Sequence, residues 1–209
     1  MLYLSHFVVG FIMAFLGLTA PGLLTLTALK TAVERGPKEG IKFAAGVIFP
    51  VIVQAHLAIL GAEYLLEHPE ILMKFSKAAV VLFLILSFLI YKQARKKRYQ
   101  ETAVGKFNIR NSFLYGVFIS LINPMAIPFY FTYSSLLRYY GIIQFEQPYV
   151  SIFVAGALLG AFSILSIYSI YARRLIGKFA FLNRNFNYIV SFIFLFLAVA
   201  GIVGNIVKS

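Results

Sequence analysis

Pro21, Pro50 and Pro124 lie inside long apolar stretches, where each would interrupt a helix and free backbone groups for other contacts, and Pro21 and Pro124 form a matched pair. Proline has no N–H and clashes with the carbonyl four residues earlier, so Pro124 would release the carbonyl of Ser120. Pro21 would act in the same way in the first stretch, and Gly22 directly after it loosens the chain further. Asn123 precedes Pro124 and brings a side chain that both donates and accepts hydrogen bonds. Paired interruptions of this kind predict a binding site for a polar solute, whereas either proline alone could be a packing kink.

Few other polar side chains lie deep in the apolar stretches. Gln54 and His56 occur midway along the second stretch, and His56 is either a hydrogen-bonding residue between helices or a proton carrier. Serine and threonine hydroxyls could line a path, although they often bond to their own helix. The chain has no Asp, and its seven Glu fall in loops or at span ends. Further residues that could line a path are Thr25, Thr27, Thr132, Ser163, Ser166, Tyr130, Tyr133 and Tyr168. The predicted binding residues are Thr19, Pro21, Gly22, Gln54, His56, Ser120, Asn123 and Pro124.

The composition requires lipid as the solvent for these stretches. Hydrophobic residues make up 61% of the 209 residues, charged residues only 12%, and the mean hydropathy is +0.86. A soluble domain of this size could not bury so much apolar surface. Six stretches are near or above the ~20 residues that cross a bilayer, and they must be helical because unpaired backbone groups are prohibitive in hydrocarbon. They are 4–29, 42–64, 71–91, 112–136, 148–171 and 187–207.

A short phrase occurs twice and suggests an internal repeat. The segment 43–46 (Phe-Ala-Ala-Gly) returns as 153–156 (Phe-Val-Ala-Gly), and Pro21 is matched by Pro124 at an offset of 103 residues. The glycine that ends each copy favours a close helix crossing. Because three spans are an odd number, the second half must enter the membrane from the opposite side. The predicted fold is therefore an all-α integral membrane protein of six transmembrane helices arranged as two inverted three-helix repeats. A single membrane domain would comprise the repeats 1–91 and 112–209, joined by a basic cytoplasmic linker, 92–111.

The basic residues predict the orientation of the chain. Fifteen of the 19 Lys and Arg residues fall in the loops 30–42, 92–110 and 172–186, which share one face if six spans alternate. The positive-inside rule places these loops in the cytoplasm and both termini outside. Topology thereby explains the net charge of +12, so nucleic acid is not an expected partner.

Motifs for catalysis and metal binding are absent from the sequence. There is no His-Glu-x-x-His pair, no Gly-x-Ser-x-Gly elbow and no phosphate-binding loop. The chain also has no Cys. We therefore expect no enzymatic activity, no cofactor and no metal site.

These features resemble the LysE/RhtB family of amino-acid exporters, compact six-span proteins of about this length. The similarity covers essentially the whole chain and rests on 20–22 (Ala-Pro-Gly), 45–46 (Ala-Gly), the basic loop after the third span, and Gly116 leading to 121–124 (Leu-Ile-Asn-Pro). The resemblance implies proton-driven export of amino acids or related small metabolites by alternating access. It also implies a homodimer in a bacterial inner membrane, with the lipid bilayer, a small-molecule substrate and protons as partners.

Three positions depart from the pattern of that family. Leu23 follows Gly22 where the family usually has Pro, Val51 stands where an acidic residue is common, and Met125 stands where a basic one is common. Losing the acid and the base together removes two handles for a zwitterionic solute and for a proton. The substrate would then be less charged, or proton coupling would pass through His56. The alternative function is a transport-inactive membrane scaffold or accessory protein that retains the exporter fold.

Overall fold

The computed structural model describes residues 2–20, 22–68 and 109–175, with single positions between 71 and 92 and between 188 and 202. All regular structure within these residues is helical. The helices are α1 (Leu2–Gly17), α2 (Leu23–Arg35), α3 (Pro37–Glu67), α4 (Ser112–Leu121), α5 (Ala126–Tyr139) and α6 (Tyr149–Ile170). The single described positions in the third and sixth predicted spans are helical as well, and most of the predicted linker 92–111 lies outside the described residues.

The chain forms two compact units. The first comprises Met1–Tyr64 with Phe107–Phe179, and the second comprises Leu65–Lys106 with Ala180–Ser209. Each unit therefore combines a segment from the first half of the chain with a segment from the second half. The helices α1 to α6 belong to the first unit, apart from the last residues of α3.

Several helices are long and apolar enough to cross a bilayer. α3 has 31 residues and α6 has 22, and a span needs about 20. α4 and α5 are together long and apolar enough to cross, and the bend of 64° at the short break between them makes the pair either one broken span or a re-entrant loop. The described part of the chain thus contains two spans, or three with the broken pair, while α1 is a shorter apolar helix of 16 residues. These helices agree with the predicted all-α membrane class.

The segment 30–42, which we predict as a basic connection between two spans, is helical over nearly all of its length. α2 continues to Arg35 and α3 begins at Pro37, so only Gly36 separates them. Gly36 adopts a φ of +98°, which favours glycine, and its N–H donates to the Ala32 carbonyl at 3.0 Å. Pro37 suits the first position of a helix, where its missing N–H would have had no intrahelical partner. The sequence Gly-Pro therefore ends one helix and starts the next within two residues.

α1 and α6 pack through two matching Phe-x-x-Gly segments. Gly10 of α1 lies against the carbonyl of Phe153, and Gly156 of α6 lies against the carbonyl of Phe7. A Cβ at either glycine would overlap the facing oxygen, so the two backbones can approach this closely only through glycine.

α3 and α4 pack in the same way. Gly46 lies against the carbonyl of Phe113, and Gly116 lies against the carbonyl of Phe43. The close crossings predicted at Gly46 and Gly156 are therefore confirmed. Each of these glycines faces a second Phe-x-x-Gly segment that the repeated phrase did not reveal.

Two serines in the second unit exchange hydrogen bonds. The Ser87 hydroxyl donates to the Ser191 carbonyl at 3.0 Å, and the Ser191 hydroxyl donates to the Ser87 carbonyl at 2.9 Å. Both residues are buried. Their separation of 104 residues is close to the offset of 103 between Pro21 and Pro124. Equivalent positions of two halves would meet in this reciprocal manner if a twofold axis related the halves.

Candidate functional site

Helices end and restart near the paired prolines Pro21 and Pro124, whereas the interruption predicted at Pro50 is wrong, because Pro50 lies inside the continuous helix α3. The first break (residues 18–22) separates α1 from α2, and the second break (residues 122–125) separates α4 from α5. Pro21 lies outside the described residues, and its predicted approach to Pro124 therefore does as well.

The carbonyl of Ser120 is freed at the second break and is covered by another helix. Pro124 has no N–H to return to this oxygen, and the N–H of Asn123 donates to it instead at 3.2 Å. The Gln54 side chain of α3 donates its Nε2 to the same oxygen at 3.1 Å. The freed carbonyl expected from Pro124 is thus present, and the amide of Gln54 satisfies it.

Ser120 also donates its own hydroxyl across the same pair of helices. Its Oγ lies 2.9 Å from the carbonyl of Val47, and the side chain is fully buried. The structure therefore brings Gln54 and Ser120 together, with two hydrogen bonds that join α3 to α4. Interhelical hydrogen bonds in membrane proteins contribute ~0.6 kcal/mol each on average, so the two together stabilise this seam by about 1 kcal/mol.

The other end of the Gln54 amide has no partner among the described residues. Gln54 is 9% exposed, and its Oε1 is buried without a hydrogen bond. The orientation of the amide follows from Ser120, because a carbonyl oxygen only accepts and must face the NH2 end. A buried acceptor left unpaired costs about 1–3 kcal/mol. The amide therefore presents a costly, unused acceptor beside the second break.

Asn123 organises the chain within the second break. Its Oδ1 accepts a hydrogen bond from the N–H of Met125 at 3.2 Å, which is an Asx-type turn just before α5. The side chain is half-buried, whereas Pro124 is exposed. In this conformation Asn123 therefore positions the start of α5.

Backbone carbonyls at the first break also accept hydrogen bonds from side chains. The carbonyl of Leu18 accepts from the Thr25 hydroxyl at 3.1 Å, and the carbonyl of Thr19 accepts from the Tyr168 hydroxyl of α6 at 2.6 Å. The hydroxyl of Thr19 returns to the carbonyl of Phe15 at 2.9 Å, within the helix that it follows. Thr19 thus contributes its backbone to the first break, whereas its side chain bonds locally.

Each break combines the end of one helix with the start of another. The N–H groups at the starts of α2 and α5 favour negative charge, and the carbonyls at the ends of α1 and α4 favour positive charge. Gly22 lies extended just before α2, with a φ of −131°. No Asp, Glu, Lys, Arg or His occurs in residues 7–29 or 111–137. Backbone groups and neutral side chains would therefore recognise any solute bound at the breaks.

The structure separates His56 from the partners of Gln54. The Nδ1 of His56 lies 2.8 Å from the Ile52 carbonyl, within its own helix. Two residues correspond to about 200° of rotation around an α-helix, so the half-buried His56 faces away from the buried side of Gln54. No hydrogen bond in the described part of the chain joins His56 to either break.

His6 is a buried histidine that sequence reasoning missed. Its Nε2 accepts from the N–H of Gln144 at 2.8 Å, its Nδ1 lies 2.7 Å from the Leu2 carbonyl, and its ring lies 4.9 Å from that of Tyr149. His6 therefore ties α1 to the connection between α5 and α6. Its position four residues before Gly10 places it on the packed face of α1, and that spacing is the signal that could have revealed it.

A separate cleft of about 560 Å³ lies at the first turns of α3 and α4. Lys42 Nζ donates to Glu39 Oε1 in it at 2.6 Å. Ser112 precedes Ser120 by eight residues, about 12 Å of helix, so the cleft is distinct from the second break. The described residues include no group of three or more side chains that could hold a metal ion. The cleft is lined by Glu39, Lys42, Arg110, Asn111, Ser112 and Phe113.

The apolar helices, the broken span and the buried polar seam define an α-helical, multi-pass membrane protein. The model of the LysE type translocator family matches residues 14–204, and the chain belongs to that family. This is a family of transporters and not of enzymes, so the general function is movement of a small-molecule solute across a lipid bilayer. No curated protein and no solved structure shows a significant match to the chain.

Proposed function

We propose that the protein is a secondary transporter that exports amino acids or related small metabolites by alternating access. The observation that carries this proposal is the pair of breaks. At each break, a side chain of an uninterrupted helix donates a hydrogen bond to a backbone carbonyl. Gln54 of α3 donates to Ser120 at one break, and Tyr168 of α6 donates to Thr19 at the other. Hydrogen bonds of this kind can be exchanged for bonds to a solute without moving an ionised group.

The proposed binding residues keep the set expected from the sequence, with roles that the geometry refines. Gln54 and Ser120 meet directly, Thr19 offers its carbonyl, and Asn123 shapes the second break. His56 is retained as a residue that a different conformation would bring to the site. The full set is Thr19, Pro21, Gly22, Gln54, His56, Ser120, Asn123 and Pro124.

The proposed architecture is two inverted three-helix repeats, 1–91 and 112–209, joined by the linker 92–111. Both Phe-x-x-Gly pairs support it, because each pair joins a broken helix of one half to an uninterrupted helix of the other. The reciprocal bonds of Ser87 and Ser191 support it as well. Alternating access would exchange the conformations of the two halves.

The proposed substrate carries no net charge. A bound charge would find no ion pair, since residues 7–29 and 111–137 contain no ionised side chain. Helix ends can still stabilise the two opposite charges of a zwitterion. An amino acid with an uncharged side chain satisfies both conditions, whereas a cationic one would bury an uncompensated charge.

We further propose a homodimer in a bacterial inner membrane, with both termini outside and export coupled to protons. The basic loops support the orientation through the positive-inside rule. The second candidate function is a transport-inactive scaffold. Val51 and Met125 favour it, because they replace the acid and the base that the family commonly has at these positions.

An efflux assay in proteoliposomes tests the proposed function. Vesicles loaded with a mixture of amino acids are compared for wild-type protein, Pro21→Ala, Asn123→Ala and the control Ser151→Ala, whose exposed hydroxyl bonds to Gln147. We expect efflux from wild type and control, and a loss of about tenfold or more in both break variants, equivalent to ~1.4 kcal/mol. Equal efflux in all four would refute the site, and no efflux above empty vesicles would favour the scaffold.

A further inference from the structure

We propose that Gln54 Oε1 accepts a hydrogen bond from the amino group of the transported solute and so selects solutes that carry an N–H donor. The inference rests on the proposed function, because it names the chemistry that one residue of that site recognises.

The direction of the Gln54 amide is determined by its neighbour. The carbonyl of Ser120 lies 3.1 Å from Nε2, and an oxygen at that place would repel it. The amide therefore cannot be turned over, and Oε1 faces away from Ser120. Gln54 thus combines a donor that holds the second break with an acceptor that holds nothing in the described structure.

The Gln54 Oε1 atom is buried, and a buried acceptor without a hydrogen bond is unusual. Gln54 is about nine-tenths buried, and Oε1 has no hydrogen-bond partner in the described structure. More than about 90% of buried polar groups in native proteins are paired. A side chain with a single polar group, such as a hydroxyl, could also donate to the Ser120 carbonyl. The additional acceptor that an amide brings to this position therefore favours a ligand that donates a hydrogen bond to Oε1.

The surroundings restrict the kind of donor. A neutral carbonyl oxygen accepts from an ammonium N–H without requiring a carboxylate, and residues 7–29 and 111–137, which contain both breaks, include no Asp or Glu. An ammonium group is a strong donor, and the carbonyls at the ends of α1 and α4 favour the same charge. The amino group of a zwitterionic amino acid therefore fits this oxygen better than a hydroxyl or a trimethylated nitrogen, which has no N–H to donate.

The experiment compares efflux of an amino acid with efflux of its N-methyl, N,N-dimethyl and N,N,N-trimethyl derivatives from proteoliposomes. All four carry no net charge, and only the last has no N–H. For wild type we expect a drop of about tenfold or more at the final methylation, as for hydrogen bonds that involve a charged group. An even decline with each methyl group would indicate steric selection and would overturn the inference, without need of any variant.

Two variants then assign the effect to Gln54. Gln54→Met keeps a similar volume and removes both polar atoms. In this variant we expect efflux to fall at the third methylation by no more than it falls at the first or the second. Ser134→Ala is the matched control, because it removes a buried hydroxyl that bonds to Phe131 within α5 and leaves the Gln54 amide intact. Export by Gln54→Met with the full drop retained would overturn the inference and leave the proposed function standing. Absence of export by wild-type protein would instead refute the proposed function.

Discussion

Replacing Gly116 by Ala is expected to destabilise the protein, whereas the same change at Gly61 is expected to stabilise it. A Cβ at Gly116 would overlap the carbonyl oxygen of Phe43 and lie 3.0 Å from the backbone nitrogen of Val47. Both are backbone atoms, so α3 and α4 would have to separate. Gly61 lies in α3, and apart from the nearby backbone of its own helix no atom of the described residues lies within 4 Å of the position that its Cβ would take.

The magnitudes follow from two opposing effects. Alanine gains ~0.5–1 kcal/mol over glycine in a helix, and this gain applies at both positions. Overpacking costs typically 1–3 kcal/mol, with the upper end appropriate where backbone must move. The expected change in the free energy of unfolding is therefore a loss of about 2 kcal/mol for Gly116→Ala and a gain of about 0.5–1 kcal/mol for Gly61→Ala.

Thermal unfolding of the purified protein in detergent measures this difference. About 2–4 °C accompany each kcal/mol in a chain of this size, so the two variants should differ in Tm by roughly 5–12 °C. The two-residue comparison controls for helix propensity, because both glycines are helical. Equal Tm values for the two variants would refute the close packing of α3 on α4.

Two other hydrogen bonds give predictions of their own. Tyr168→Phe removes the donor to Thr19 at the first break, and we expect altered efflux with a stability loss of about 1 kcal/mol, measured by transport and thermal unfolding together. Unchanged efflux would remove Tyr168 from the mechanism. His6→Ala removes the acceptor of the Gln144 N–H, and we expect faster hydrogen exchange at Gln144 and easier proteolysis in residues 140–148. His6→Gln, which can still accept, should retain more of the protection, and equal exchange in both variants would contradict the assigned role.

The second break has a local cause in Pro124, although a proline does not always end a helix here, since Pro50 lies inside the continuous helix α3. Proline removes an N–H wherever it stands, so the freed carbonyl of Ser120 follows from Pro124 alone. Glycine in the repeated phrase likewise predicts close approach, since any other residue adds a Cβ. The composition predicts the membrane in the same way, because apolar surface must meet lipid whatever the fold.

The two histidines show what position along a span leaves open. His56 lies midway along an apolar stretch and bonds within its own helix in this structure, because depth in a span does not determine which face a side chain occupies. His6 lies near the start of the first helix and is fully buried against Tyr149. A side chain's face depends on which helices pack together, and single-sequence periodicity is weak in helices that are apolar all round.

The sequence by itself determined the solvent of this protein, the family to which it belongs, and the prolines at which a helix could break, of which Pro50 does not break one. Only the tertiary structure decided what covers the freed carbonyls: Gln54 for Ser120 and Tyr168 for Thr19. The physical reason is that a missing N–H is a property of one residue, whereas its replacement comes from a helix distant in the chain. Which donor arrives, and which acceptor is left over on Gln54, depends on how those helices cross.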